Sequence, residues 1–186
     1  MLTNTQRGTA GEQLLAACVI ISSAGDLELF KPLTDDDHTD VTAGKRGKVP
    51  ALAIQVKTAL SLNRQGYAVA KMVFPSGKPR VHASFVYAIV YVTSASVEAA
   101  WVVPSAAFNR LAYRGPGPKR KGIELEFMAS PTRKDRWSAF RCGRMDLGPK
   151  LIALIDSLPP GLRVEAKLPE GVHLLLRARP RTGRVR

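Results

Sequence analysis

Cysteine is scarce: the 186 residues contain two, Cys18 and Cys142. They form no CxxC and no metal-ligand spacing, so neither a zinc site nor a disulfide framework is written into the chain. A reduced, cytoplasmic setting is the expectation that follows. Long apolar runs are missing too. The longest stretch without Asp, Glu, Lys or Arg spans residues 81–97 and is broken by His82 and several Ser and Thr. It falls short of the ~20 apolar residues of a membrane span, so no membrane segment is expected. Leu15-Ala16-Ala17-Cys18 looks like a lipoprotein cleavage box, but residues 5–13 before it are polar and include Glu12. The histidines His38, His82 and His173 are scattered and read as surface or loop residues rather than ligands. There is no P-loop and no nucleophile elbow, which sets aside nucleotide hydrolysis and Ser/His/Asp catalysis of that type.

Acidic residues are also few, and their distribution is uneven. The chain has 28 Lys and Arg against 15 Asp and Glu, a net charge of +13. Residues 1–60 hold six basic and seven acidic side chains, a net of −1, and residues 61–186 hold 22 and eight, a net of +14. A weakly acidic segment within a basic body suits an enzyme that holds a cation and binds a polyanion. The plainer alternative is a soluble protein with an alkaline pI. Hydrophobic content of 45% is ordinary for a globular protein, and the length suits one domain over residues 1–178 with a basic tail over 179–186.

The chain opens with a helical pattern over residues 4–24, in which Leu15, Val19 and Ser22 share a stripe with Glu12, and Gly25 stops it. Glu12 has two readings here. Thr9-Ala10-Gly11-Glu12 fits a capping box, in which Glu12 serves a backbone N–H. Alternatively its carboxylate belongs to a site. Residues 27–33 alternate as a first strand, 34–39 form a polar turn with Asp35, Asp36, Asp37 and His38, and Asp40 opens a second strand. Residues 44–48 read as a basic, glycine-bounded loop, and Pro50 leads into a third strand over 51–59. Alternation puts Gln55 and Lys57 on one face of that strand and Ile54, Val56 and Thr58 on the other. A hairpin between the second and third strands brings Asp40 level with Gln55.

Further strands are expected over residues 67–74, 85–92, 99–103 and 123–127, with helices over 105–111 and 147–158. Residues 114–122 read as a loop without periodicity, and residues 162–178 as a terminal hairpin. No internal repeat is present.

Glu12 on an N-terminal helix, Asp40 leading a strand, and Gln55-Val56-Lys57 on the next resemble the PD-(D/E)xK nuclease superfamily. The resemblance spans residues 8–60 and is nearest to the branch with Gln in place of the acid of the E-x-K motif, which includes resolvase-like and intron-associated endonucleases. It implies an α/β fold, a mixed central sheet flanked by helices with a restriction-endonuclease-like core. It also implies Mg²⁺ or Mn²⁺ and cleavage of phosphodiester bonds. Carried onto this sequence, Asp40 supplies a carboxylate, Gln55 its amide oxygen, Val56 its carbonyl, and Glu12 a direct or water-bridged contact. Lys57 positions or helps deprotonate the attacking water and stabilises charge on the phosphate. Asp36 and Asp37 are rivals to Asp40, but a site is better held by a rigid strand than by a turn. A second E-x-K, Glu165-Ala166-Lys167 with Asp156 upstream, lacks a preceding helical acid and reads as an exposed hairpin face.

The expected partner is nucleic acid, DNA by the resemblance, and a homo-oligomer is compatible with the sequence. Its phosphates would meet three basic clusters: Lys119, Arg120 and Lys121; Arg133, Lys134 and Arg136 beside Trp137; and the tail with Arg179, Arg181, Arg184 and Arg186. A non-catalytic nucleic-acid-binding module on the same fold and a basic protein-interaction component are the competing readings.

Overall fold

The computed structural model describes residues 2–32, 38–46 and 51–159. The expected hairpin over 162–178, the basic tail and the second E-x-K lie outside the described residues. Helix α1 spans Asn4–Ser22. Its N-terminus is closed by a capping box formed by Thr3 and Gln6, in which Thr3 Oγ1 accepts from Gln6 N at 3.2 Å and Gln6 Oε1 accepts from Thr3 N at 2.9 Å. The capping role considered for Glu12 is therefore filled six residues earlier.

Strands β1 (Leu27–Phe30), β2 (Val41–Lys45) and β3 (Ala51–Ala59) form an antiparallel meander. β1 is shorter than the expected 27–33, since Lys31-Pro32 leaves the ladder and proline has no N–H to offer it. Gly44 and Lys45, expected in a loop, continue β2, and Lys45 Nζ pairs with Asp156 at 2.5 Å. After β4 (Ala68–Phe74), β5 (Phe85–Thr93) returns parallel to β3 and pairs antiparallel with β6 (Ser96–Pro104). Helix α2 covers Ser105–Leu111. Residues 113–129 contribute β7 (Tyr113–Pro116) and β8 (Ile123–Ala129), and β9 is the short segment Arg141–Cys142. Helix α3 closes the described chain at Leu147–Asp156.

The main sheet is six-stranded in the order β1-β2-β3-β5-β6-β9, and a second, three-stranded sheet has the order β4-β8-β7. This is a mixed α/β architecture. One face of the main sheet, with Ile54, Val56, Val86, Ala88 and Val102, packs against Leu15 and Val19 of α1 and Leu147, Leu151 and Ile155 of α3. The opposite face, with Ala53, Tyr87, Ile89, Trp101 and Val103, packs against α2 and the second sheet. β3 and β5 are buried on both faces, which explains their nearly unbroken apolar runs.

Gly11 sets how closely α1 approaches the sheet. A Cβ there would overlap Thr58 Oγ1 and stand 2.8 Å from Thr58 Cβ and Cγ2, so only glycine lets the helix backbone lie this near β3. The close approach brings the next residue, Glu12, to the sheet. No helix among the described residues is long and apolar enough to cross a membrane.

Candidate functional site

β3 is the third strand of six, so its polar pair Gln55 and Lys57 is not on an edge. Gln55 is only 8% exposed. A buried glutamine in a central strand conflicts with the local apolar pattern, and such conflicts concentrate at functional sites. By alternation Gln55 and Lys57 share the face of Ala53 and Ala59, whereas Ile54 and Val56 face α1.

Asp40 stands where β2 begins. Its N–H donates to Ile54 O at 2.9 Å, continuing the ladder in which Val41 pairs with Ile54. Its carboxylate Oδ2 then accepts from Val56 N at 2.6 Å. The carboxylate takes the place of the strand carbonyl that β2 no longer supplies beyond its end. This short, charge-assisted bond fixes the acid at the margin of the sheet, level with Gln55.

Glu12 is 18% exposed in its side chain and accepts from Lys31 Nζ at 2.7 Å. The Lys31 ammonium is held above the usual lysine range, first by the hydrogen bond to Glu12, then by the charges of Glu12 and Asp40. Glu12, Lys31 and Asp40 are thus electrostatic neighbours. Glu12 belongs to α1, which packs on one face of β3, whereas Gln55 and Lys57 lie on the other face; Asp40 stands at the head of β2, bonded to Val56. Among the described residues, no three of His, Cys, Asp and Glu come close enough to hold a metal by themselves.

Beside Gln55 a cavity opens between β3, β5 and the segment joining β4 to β5. It is lined in part by Gln55, Tyr87, Phe85, Arg80, Lys78 and His38. Arg80 lies over the Phe85 ring at 4.3 Å and donates to Thr39 Oγ1 at 3.3 Å. Lys31, Arg80 and Tyr87 were not singled out from the sequence. Their roles depend on contacts between distant segments, and no local spacing announces them.

The basic clusters differ in how committed they are. Lys119 and Lys121 are exposed, and Lys119 has positive φ in a short 3-10 turn over Pro118–Arg120. The expected structureless loop is in fact partly ordered, since Tyr113–Pro116 pairs with Ile123–Glu126. Arg133 stacks over Tyr67 at 4.8 Å and donates to Gln65 O, and Arg136 stacks over Tyr113 at 4.0 Å and donates to Leu111 O at 3.0 Å. These two arginines brace neighbouring loops, although Arg133, Lys134 and Arg136 all remain exposed. Trp137 beside them is fully buried in the second-sheet core and offers no face for stacking bases.

The chain thus has a mixed α/β fold with an acid at the head of one strand and Gln-x-Lys on the next. Among solved structures it is similar to a bacterial homing endonuclease, I-Ssp6803I, with a TM-score of 0.56 over 85% of this chain and 100% of that one. Identity is 18%, so the likeness is one of fold. No protein-family model and no curated protein matches the sequence.

Proposed function

We propose that this chain is a metal-dependent endonuclease that hydrolyses phosphodiester bonds in DNA, built on a PD-(D/E)xK-type core. The observation that carries the reading is the Asp40 carboxylate locked to the Val56 amide, level with Gln55 and close in sequence to Lys57. The likeness in fold to a homing endonuclease supports it.

The donor set fits a hard divalent cation. Among the described residues no three carboxylates come together, and neutral oxygens would complete the set. Asp40, the Gln55 amide oxygen and the Val56 carbonyl are hard oxygen donors on adjoining strand positions. In a strand a residue's N–H and C=O point to the same side, so the Val56 carbonyl is directed as its N–H is, toward Asp40. Glu12, held by Lys31, is the outer acid. A bound Mg²⁺ or Mn²⁺ would polarise the phosphate and acidify a water molecule. Lys57, two residues from Gln55 on the same face, would orient the attacking water or help remove its proton and would offset charge on the phosphate. Substrate affinity comes from the basic body, with the exposed Lys119, Lys121 and Lys134 as candidate phosphate contacts among the described residues.

The test is incubation of supercoiled plasmid with the protein and Mg²⁺, Mn²⁺ or a chelator. Nicking with either metal and none with chelator is expected. Intact plasmid under all three conditions, with salt-sensitive retention of DNA, would instead identify a binding module on the same fold.

A further inference from the structure

The cavity beside Gln55 contains a donor that the proposed chemistry does not use. Tyr87 is fully buried, and its hydroxyl has no hydrogen-bond partner among the described residues. A buried polar atom without a partner costs about 1–3 kcal/mol, so it calls for an explanation. The ring cannot turn the hydroxyl elsewhere. Phe85 meets it edge-on at 5.1 Å and Phe108 packs against it at 4.3 Å. Burial pushes the phenol pKa up to about 12, so the hydroxyl keeps its proton and remains a donor.

Several groups around it carry donors as well. Arg80, Lys78, His38 and the Gln55 amide share the lining, and no described carboxylate does. Arg80 is held in place from several directions. Asn109 Nδ2 donates to Arg80 O at 3.0 Å, and Ser105 Oγ bridges His82, accepting from its N–H at 3.0 Å and donating to its carbonyl at 2.9 Å. The segment carrying Arg80 is thereby pinned to α2, and the guanidinium rests on Phe85. A neutral phenol, an amide, an arginine and a lysine lining one cavity carry the donors that a tetrahedral oxyanion accepts from.

We propose that this cavity is a phosphate subsite, in which Tyr87 and Arg80 take one backbone phosphate of the nucleic-acid strand next to the bond facing Lys57. The assignment to nucleic acid rests on the function proposed above, whereas oxyanion binding does not. The shared position of Gln55, lining the cavity two residues from Lys57, is what couples the subsite to the site.

The experiment uses the full chain, ¹⁵N-labelled and free of divalent metal, titrated with inorganic phosphate against chloride at equal ionic strength. Saturable shifts of the Arg80 Nε–H and Gln55 side-chain amide signals are expected with phosphate only. Tyr87→Phe removes a hydroxyl that bonds nothing among the described residues, so the fold should persist, and phosphate affinity should fall at least three-fold. Arg80→Gln should remove the saturable response. Equal responses to phosphate and chloride, or an unaltered response in Tyr87→Phe, would overturn the subsite. A second arm measures binding of a DNA duplex in chelator. Both variants should weaken it, and Arg80→Gln should make its salt dependence shallower. Phosphate binding with unchanged duplex affinity in both variants would overturn the nucleic-acid assignment. If plasmid is never cleaved but both variants still weaken duplex binding, the subsite stands and the nuclease reading fails.

Discussion

Replacing Asp40 separates its structural role from its chemical one. Its carboxylate accepts from Val56 N at 2.6 Å, and Val56 is 6% exposed, so truncation leaves a buried N–H without its acceptor. Hydrogen bonds to charged groups contribute about 1.5–3 kcal/mol, and an unsatisfied buried donor costs about 1–3 kcal/mol. Asp40 itself is only partly buried, so water can enter the vacated position, and the lower part of that range applies. Asp40→Ala should therefore lose about 1–2 kcal/mol of stability in urea unfolding. Tm should fall by roughly 2–8 °C for a chain of this size. Asp40→Asn keeps an oxygen that can accept from Val56, so the loss through that bond should be less than about 1 kcal/mol. Both variants should nevertheless abolish plasmid nicking, since both remove the charged ligand. An Asp40→Ala variant as stable as the parent would show that the bond to Val56 holds nothing. An Asp40→Asn variant that nicks at the parental rate would remove Asp40 from the site.

Three further outcomes are expected. Gln55→Glu restores a carboxylate and should tighten Mn²⁺ binding in calorimetry, because ligand charge raises affinity for a hard cation; an unchanged affinity would show that Gln55 is not a ligand. Tyr87 has its folded-state pKa raised from 10 to about 12, so the folded form holds its proton longer and stability must fall as pH rises between those values. The loss should reach roughly 2–3 kcal/mol near pH 12 and be absent in Tyr87→Phe, and identical alkaline unfolding curves would refute it. Neutralising Lys119, Arg120 and Lys121 together should weaken DNA binding irrespective of sequence and make the log–log salt slope shallower by about 0.9 for each phosphate left unneutralised; a triple variant with parental affinity and slope would take this loop off the binding surface.

What was legible in the sequence followed local pattern. β3 spans Ala51–Ala59 as its entry after Pro50 and its alternation indicate, and α2 spans Ser105–Leu111 as read. β5 was visible as a β-branched and aromatic run because it is buried on both faces. The level placement of Asp40 and Gln55 was also readable, because hairpin register follows from strand ends. Other features depend on partners far along the chain. Gly11 looked like part of a cap, yet its role is to admit Thr58, which no local window reveals. Lys31 looked like a strand residue, and its pairing with Glu12 appears only when the helix and β1 come together. Tyr113–Pro116 hid as a strand because glycine and proline mark breaks, and only its partner β8 makes it one. Trp137 sits among basic residues in the sequence, and only its packing against Phe108 and Phe127 reveals that it belongs to the core.

Metal-dependent hydrolysis is proposed for the residues around Asp40, Gln55 and Lys57. Its most direct test is the single-turnover nicking rate of supercoiled plasmid with Mg²⁺ and with Mn²⁺, comparing the natural sequence with Lys57→Ala at saturating protein. General acid–base contributions are typically about 10²–10⁴-fold, so Lys57→Ala should slow nicking by at least about 10²-fold with both metals. Its thermal unfolding should be unchanged, and saturating protein removes any loss of DNA affinity from the comparison. Nicking by Lys57→Ala within about three-fold of the parent, well below that range, would contradict the account.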